Sequence, residues 1–459
     1  MFDRRSIVVG GTVLAFAGIA SAAPRLPKKL TDQFAERLAY DKAAGGAALT
    51  VVRGGAIAAF WAQGLASIPF NVPVGEDTLF QIGSVAKHVT ALGVLQLAEA
   101  NRIALDDPVG RHVKDLPQHW RGVPIRHLLH QTSGLPDYID FLADWDRRQP
   151  RSVVNSALSM MPLLFASGEA WSYSNTNYLV LGWLIEDVSG QPYADYLRTR
   201  LFAPAGLPNA RGDAAQHPIA NRAEPYDALE GETRHAVRMA DDVSAAADGG
   251  LLFSARDWAP WNRVLGSPRL VSQASLDAMF TPAILETGRE VPYGYGWFVG
   301  QTRGGPYHWH SGTVPGFVTQ VARLPARDLM AVLTLNSASR DGTLADVPMQ
   351  ALEAVAPGST YLSLPDGPEP SEPRRARLTA ILTGGGRDAD WIAPELAREF
   401  RVVAPHDPPA IYTPIESIRL VETYPAKGGT MERYRVTSGR RDRYVLAGWT
   451  PDDRLFIIA

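Results

Sequence analysis

The chain has 459 residues, of which 46% are hydrophobic and 20% charged, a composition typical of a folded globular protein. This length exceeds the size at which one core keeps growing, so more than one domain is expected. The 45 basic and 48 acidic residues give a net charge of −3 without a basic stripe, which argues against nucleic acid as a partner. The absence of cysteine excludes disulfides, a thiol nucleophile and thiolate metal sites.

The N-terminus has the layout of a secretory signal peptide. Arg4 and Arg5 precede an uncharged, largely apolar run over residues 7–20, and small residues follow at 20–22. The run is shorter than a bilayer span requires, so export is favoured over a permanent anchor. The paired arginines are also compatible with twin-arginine export, and both routes stay open. We predict a signal peptide over residues 1–23, a periplasmic location in a bacterium, and no stable membrane span after cleavage.

The next segment predicts a helix and then a β-hairpin. Apolar residues recur on one helical face over residues 30–42. Residues 47–53 and 56–64 read as strands on either side of Gly54-Gly55. Paired glycines supply the positive φ of a tight hairpin turn, so these strands are expected to pair with each other.

Ser84 and Lys87 stand one helical turn apart at the start of a helix predicted to reach about Ala100. The i, i+3 spacing puts both side chains on one face, so the amine can take the hydroxyl proton. A serine nucleophile needs such a base, and a helix N-terminus favours developing negative charge. The apolar neighbours Val85 and Val89 indicate a buried face, where the pKa of the lysine is lowered. The ordinary alternatives are a capping serine and a solvated lysine.

Two later motifs favour the catalytic interpretation. They are Tyr173-Ser174-Asn175 and His310-Ser311-Gly312. Ser-x-x-Lys, then Tyr-x-Asn, then a basic residue followed by a hydroxyl residue and glycine is the motif order of the penicillin-recognising serine hydrolases. The chain therefore resembles the β-lactamase-related family, which includes class C β-lactamases, D-alanyl-D-alanine carboxypeptidases, D-aminopeptidases and related esterases. The resemblance covers roughly residues 30–355 and includes the stretches 128–136, 249–257 and 293–297.

The resemblance implies a serine hydrolase that cleaves an ester or amide through a covalent acyl intermediate on Ser84. Lys87 would be the base, and Tyr173 would relay the proton between the nucleophile and the leaving group. Asn175 would hold the lysine and the carbonyl of the substrate through hydrogen bonds. The ordinary alternatives for Tyr173 and Asn175 are a core tyrosine and a turn residue.

The third motif would form the substrate-binding strand. Ser311 can hydrogen-bond the substrate, and Gly312 allows a close approach of the strand backbone. By analogy with the family, the backbone N–H groups of Thr313 and Ser84 would form the oxyanion hole, whose loss is costly in such enzymes.

His310 stands where many family members carry lysine. A histidine is only partly charged near neutral pH, so recognition of a carboxylate-bearing β-lactam is less assured. Histidine there is also compatible with carboxypeptidase, aminopeptidase and esterase members, so these activities and β-lactamase activity remain alternatives. His308 and His310 form a His-x-His pair, but no further histidine or acidic cluster completes a metal site. We predict neither a metal nor a cofactor.

The distribution of strands and helices predicts an α+β fold of the β-lactamase/transpeptidase type. Residues 317–324 and 329–336 read as a second hairpin, so strands at both ends enclose a helical, loop-rich region. We expect an antiparallel sheet flanked by helices plus a helical lobe, over residues 24–360. The resemblance implies a central serine helix, with the site between sheet and lobe.

The chain changes character after residue 360. Residues 361–375 are Pro-rich and predict a linker. Residues 376–459 predict a small α+β module, with a helical stretch up to about Phe400 and then four short strands over 418–423, 430–436, 443–449 and 455–458. This order resembles NTF2/cystatin-like domains. The module carries no catalytic motif, so a packing or lid role is favoured.

Two other classes of function stay open. One is a sensor that is acylated by peptidoglycan peptides or β-lactams and never turns over. The other is a structural protein that uses its C-terminal module to dock a partner. The complete set of motifs favours turnover of a small-molecule or peptide substrate, with no nucleic acid involved. The acyl donor, the leaving group and the oligomeric state are left open by the sequence.

Overall fold

A computed structural model describes residues 26–40, 45–140, 150–214, 217–229, 232–238, 247–302, 304–337, 344–402, 414–439 and 441–458. The predicted signal peptide lies outside these residues. Among the described residues, no helix combines the length and the apolar character needed to cross a bilayer.

The helices and strands are numbered in chain order. The helices are α1 Lys28–Tyr40, α2 Lys87–Glu99, α3 Ile125–Leu129, α4 Arg151–Leu158, α5 Asn175–Ser189, α6 Tyr193–Leu197, α7 Ala203–Ala205, α8 Ala255–Leu265, α9 Gln273–Met279, α10 Val347–Val355, α11 Glu372–Leu382 and α12 Pro394–Val402. The strands are β1 Gly46–Arg53, β2 Ala56–Ser67, β3 Val72–Pro73, β4 Phe80–Gln81, β5 Arg211–Gly212, β6 Tyr226–Leu229, β7 Glu232–His235, β8 Leu251–Phe253, β9 Ala283–Ile284, β10 Glu290–Val291, β11 Phe298–Thr302, β12 Gly305–Val314, β13 Phe317–Leu324, β14 Leu329–Leu335, β15 Ser417–Ala426, β16 Gly429–Ser438, β17 Arg441–Trp449 and β18 Leu455–Ile458.

The main sheet joins strands that are far apart in sequence. Its order is β11-β12-β13-β14-β1-β2-β3, with antiparallel pairs throughout. Strand β1 pairs with β14, so that Ala47 faces Leu335. Helices lie on this sheet and beside it, and the predicted α+β class is confirmed.

Both predicted hairpins are present. Gly54 and Gly55 have φ values of 58° and 70°, the left-handed region that a two-residue hairpin turn requires. The second hairpin joins β13 to β14 through a short 3₁₀ turn, after which Asp328 adopts a φ of 47°.

Helix α2 is the central helix of the lobe. It continues a 3₁₀ turn over Gly83–Ala86, and its residues are buried on nearly every side, as expected of a helix in the middle of a large core. The predicted helix from Ser84 to about Ala100 is confirmed, with its first turn wound more tightly. At its start His88 accepts a hydrogen bond from Trp261 at 2.7 Å and stacks on Trp297 at 4.4 Å. These contacts fix the turn on which Lys87 lies.

The C-terminal module is a four-stranded antiparallel sheet in the order β15-β16-β17-β18, packed against α11 and α12. The four predicted strands are confirmed. The helical stretch predicted up to about Phe400, with one or two helices, contains two helices, α11 and α12, because Gly384 and Gly386 adopt φ values of 94° and 72° after α11. The resemblance to NTF2/cystatin-like domains stays a prediction.

The predicted linker over residues 361–375 overlaps the start of a helix. Helix α11 begins at Glu372 because Pro373 fits the first turn of a helix, where its missing N–H is not needed. The remaining residues run along the module, since Gly367 N donates to Leu420 O at 2.7 Å and Leu420 N donates to Pro368 O at 3.0 Å.

Candidate active site

Ser84 and Lys87 meet at the junction between the 3₁₀ turn and α2. Lys87 Nζ lies 2.9 Å from Ser84 Oγ, within the reach that proton transfer needs. Ser84 is partly exposed whereas Gly83, Val85 and Ala86 are buried. The hydroxyl is therefore the part of this turn that a substrate can reach.

Lys87 is fully buried, and desolvation is the largest influence on its amine. Burial lowers the pKa of Lys87 to about 8, against the opposing effects of the Asp248 and Asp137 carboxylates. The predicted buried face is thus present. A lysine with this pKa is partly neutral near physiological pH, so it can act as a base.

Asn175 is the first residue of α5 and bridges Lys87 to a carboxylate. Its Oδ1 accepts a hydrogen bond from Lys87 Nζ at 2.6 Å, and its Nδ2 donates to Asp137 Oδ2 at 2.8 Å. Thr176 fixes this arrangement, because its hydroxyl donates to Pro136 O at 2.6 Å and accepts from Tyr138 N at 2.8 Å. The first of the two contacts predicted for Asn175 is therefore present.

Asp248 forms the other side of the lysine pocket. Its carbonyl oxygen accepts from Lys87 Nζ at 2.9 Å, and its carboxylate accepts from the Tyr138 hydroxyl at 3.0 Å. Burial raises the pKa of Asp248, while Lys87 and Tyr138 oppose the shift. The other carboxylate oxygen, Oδ1, is buried without a hydrogen-bond partner among the described residues.

Tyr173 lies beside Lys87, with the amine 4.9 Å from the centre of its ring. Its hydroxyl is buried and completes no hydrogen bond of good geometry within the described part of the chain. Burial raises the pKa of Tyr173 well above 10, and the nearby Ser84 hydroxyl opposes that rise only partly. Tyr173 is therefore a neutral phenol at the pH of most assays.

Two glycines bring the backbones of the first and third motifs together. A Cβ on Gly312 would lie 2.0 Å from Ile82 O and 3.0 Å from Ser84 N. Gly83 has a φ of 54°, and a Cβ there would lie 2.8 Å from Thr313 N. The N–H groups of Ser84 and Thr313 therefore lie at one contact between two backbones, as an oxyanion hole requires. Ser311 is half-buried beside this contact on β12.

His310 is buried on β12, and both of its ring nitrogens are engaged. Nδ1 lies 2.6 Å from the carbonyl oxygen of Ser311, so it donates, and Nε2 lies 3.2 Å from the Tyr293 hydroxyl and accepts. Burial lowers the pKa of His310 to about 3, with a further contribution from the charge of Lys87. The expectation of a partly charged histidine is wrong, because it used the pKa of an exposed imidazole.

His308 and His310, the predicted His-x-His pair, have different neighbours. His308 stacks on Phe280 with ring centres 4.0 Å apart. In the part of the chain that the structure describes, no group of three or more histidine or acidic residues is placed to hold a metal ion.

The structure thus brings Ser84, Lys87, Tyr173, Asn175 and the His310–Thr313 strand together. It also adds four residues to which the sequence assigned no role: Asp137, Tyr138, Asp248 and Tyr293. Each lies within or near a family-like stretch, since Asp137 follows 128–136, Asp248 precedes 249–257 and Tyr293 begins 293–297. Closeness to these family-like stretches is therefore the feature of the sequence that points to the four residues.

Comparison with known proteins agrees with this geometry. The model of the family described as Beta-lactamase matches residues 30–356. The chain belongs to the beta-lactamase family. Penicillin-binding protein 4* of Bacillus subtilis is 31% identical over 353 residues, which cover 72% of this chain and 76% of the relative.

Two solved structures extend the comparison of this beta-lactamase-family protein. A D-amino acid amidase from Ochrobactrum anthropi SV3 is 26% identical, with a TM-score of 0.61 over 72% of this chain and 100% of the amidase. An octameric penicillin-binding protein homologue from Pyrococcus abyssi is 20% identical, with a TM-score of 0.64 over 94% of this chain and 99% of that one. The second likeness shows that the fold is shared over nearly the whole chain. With these relatives and this site, the protein is a serine hydrolase of the acyl-enzyme type.

Proposed function

We propose that the protein hydrolyses amides or esters whose acyl group carries a free amine, through an acyl intermediate on Ser84. Neutral Lys87 takes the proton of Ser84 Oγ as the oxygen attacks the carbonyl carbon. The N–H groups of Ser84 and Thr313 stabilise the oxyanion. Tyr173 donates its proton to the leaving nitrogen or oxygen and is reprotonated by the Lys87 ammonium. Water then attacks the acyl ester, loses its proton to the same pair, and releases the acid and Ser84.

The proposal of an amine-bearing substrate rests on the charges in the site. His310 is neutral and both of its nitrogens are occupied, so the third motif supplies no cation for a substrate carboxylate. Lys87 is the cation at the nucleophile, and its charge interacts with the nearby carboxyl groups of Asp248 and Asp137. A penicillin or an N-acylated D-alanyl peptide would bring a carboxylate into this field, whereas an ammonium would be attracted.

Asp137 is the carboxylate that a substrate can approach. It is partly exposed, while Asp248 is buried. Burial raises the pKa of Asp137, and hydrogen bonds from Asn175 Nδ2 at 2.8 Å and Ile139 N at 3.2 Å, together with the charge of Lys87, oppose that rise. These contacts leave further lone pairs of the carboxyl oxygens available. The D-amino acid amidase in the comparison supports an amine-bearing acyl group, and its name supports D stereochemistry.

The test compares each amino-acid p-nitroanilide, D and L, with its N-acetyl counterpart. We expect the free-amine form to have the higher kcat/KM, and Ser84→Ala to abolish turnover of every substrate. Asp137→Asn should reduce the ratio of free-amine to N-acetyl activity, so each enzyme serves as its own control. A preference for the N-acetyl forms would refute the proposed substrate class without affecting the assignment of Ser84.

A fluorescent penicillin tests the second candidate, which the 31% identity to a penicillin-binding protein favours. Stable labelling of Ser84 without turnover of any amide or ester would identify a β-lactam or peptidoglycan sensor instead. His310→Lys should increase the labelling rate, because it adds a cation, whereas the neutral control His310→Gln should not.

We also propose that the protein is exported to the periplasm. The charged, apolar and small-residue order of residues 1–23 supports this location.

A further inference from the structure

The C-terminal module is described over residues 372–402, 414–439 and 441–458. It contacts three segments of the hydrolase region, which is the part of the chain before residue 361. Each segment carries an aromatic side chain that lines the catalytic site: Tyr293, Tyr173 or His310. These contacts are separate from the module's own core, which is formed by another apolar cluster around Leu378 and Leu455.

The first segment is residues 283–293, which ends at Tyr293. Tyr293 belongs to an apolar cluster shared with Met431, Leu446 and Phe456 of the module. Arg289 lies against Glu395 in an ion pair, and its guanidinium is 5.8 Å from the ring centre of Phe456. Hydrocarbon, charge and cation–π contacts thus combine on this segment.

The second segment is residues 166–173, which ends at Tyr173. Glu169 forms an ion pair of 3.3 Å with Arg398 of α12. Trp171 and Tyr173 pack against the same shared apolar cluster. Glu286 N donates to Gly168 O at 2.9 Å, which ties the second segment to the first.

The third segment is β12, which carries His310. Arg433 of the module donates to the Tyr307 hydroxyl at 3.2 Å, near the start of that strand. Arg433 is held in turn by Glu422 at 2.7 Å, and its guanidinium lies 4.2 Å from the ring centre of Tyr361. Arg433 and Glu422 are both buried, so the contact is part of the folded core and not a surface pair.

Lys87, the base of the reaction, is held by residues outside the C-terminal module. The hydrogen bonds of Lys87 go to Ser84, Asn175 and Asp248, all of which lie in the hydrolase region. The Tyr173 hydroxyl lies near that of Ser84 but completes no hydrogen bond of good geometry within the described residues, so ring contacts contribute to its position. The ring of Tyr173 lies 6.0 Å from that of His310 on β12, and it also contacts Tyr293 and Trp171, at 6.3 and 6.5 Å between ring centres. The Tyr293 and Trp171 rings both pack in the cluster that the module completes.

We propose that the C-terminal module is a positioning element for Tyr173, acting through Tyr293 and Trp171. The inference rests on acyl transfer at Ser84 and is independent of which substrate is cleaved. A displacement of about 1 Å in a group that transfers a proton can cost on the order of 10²-fold in rate. Loosening the contact should therefore lower turnover while leaving the titration of Lys87 unchanged.

The test uses two neighbours on β18 in the full-length protein. Phe456 lies in the cluster shared with Tyr293, whereas Leu455 lies in the module's own core, and both are buried. Phe456→Ala and Leu455→Ala each leave a cavity, so both lower stability. We expect Phe456→Ala to reduce kcat for phenyl acetate, whose leaving oxygen takes up a proton at assay pH, by roughly 10- to 10²-fold. Leu455→Ala should leave kcat within about twofold of wild type.

Active sites are titrated with a fluorophosphonate, so that kcat refers to folded, reactive enzyme only. The pH at which kcat/KM reaches half its maximum should be the same in both variants and in wild type. Glu395→Gln weakens the contact with Arg289 and leaves no cavity. Like Phe456→Ala, it should lower kcat. Equal kcat per titrated site in the two β18 variants would overturn the proposal, and so would a shifted pH midpoint. Failure of the fluorophosphonate to label wild type would instead refute acyl transfer at Ser84.

Discussion

The pH dependence of the reaction follows from the environment of Lys87. Burial lowers its pKa from 10.5 to about 8. The base must be neutral to accept the Ser84 proton, so kcat/KM should rise with pH and reach half its maximum near pH 8. At that pKa about 9% of the lysine is neutral at pH 7 and about 91% at pH 9, a rise of roughly tenfold. An exposed lysine would be only about 0.03% neutral at pH 7.

Asp248→Asn tests the assignment of Lys87 as the base, because the Asp248 carboxylate is the largest influence that raises the pKa of Lys87. Removing its charge should lower that pKa further and move the rising limb to lower pH. Asp137→Asn should move the limb in the same direction by less, since its carboxylate is the smaller influence.

The assay is kcat/KM for p-nitrophenyl acetate from pH 5 to 10, because this ester has no ionisable group of its own. His310, with a pKa near 3, and Tyr173, with a pKa well above 10, do not titrate in this window. A midpoint near 10 in wild type, or a shift to higher pH in Asp248→Asn, would refute the role of Lys87 as base.

Three further predictions follow from the site and the sequence. Lys87→Arg keeps the positive charge but removes a usable base, so kcat should fall about 10²- to 10⁴-fold in stopped-flow ester assays. A near-normal rate would show that another residue is the base. Gly312→Ala places a Cβ against Ile82 O, which should push the two backbones of the oxyanion hole apart and lower kcat about 10²- to 10³-fold. A wild-type kcat in this variant would show that the contact between Gly312 and Ile82 is not needed for the reaction. N-terminal sequencing of protein from its native host should find a mature start near Ala23 or Pro24, and retention of residues 2–20 would indicate an anchored form.

Local patterns were sufficient for much of the fold. The glycine pair between β1 and β2 and the spacing of Ser84 and Lys87 are properties of short stretches of chain, and the structure reproduces both. The burial of Lys87 was predicted from its apolar neighbours for the same reason. The break between α11 and α12 is likewise local, since Gly384 and Gly386 follow α11 with positive φ values.

The sequence by itself determined the family, the order of the three motifs and the residue types available for acyl transfer, because these depend on identity and spacing along the chain. Only the tertiary structure decided the charge of the site. His310 is neutral because distant segments exclude water from it and Tyr293 occupies its second nitrogen. Asn175 at the start of α5 links Asp137 to Lys87, and the carbonyl oxygen of Asp248, before β8, accepts a hydrogen bond from the same amine. Desolvation and charge pairing arise from groups that are remote in sequence, so no local pattern encodes them.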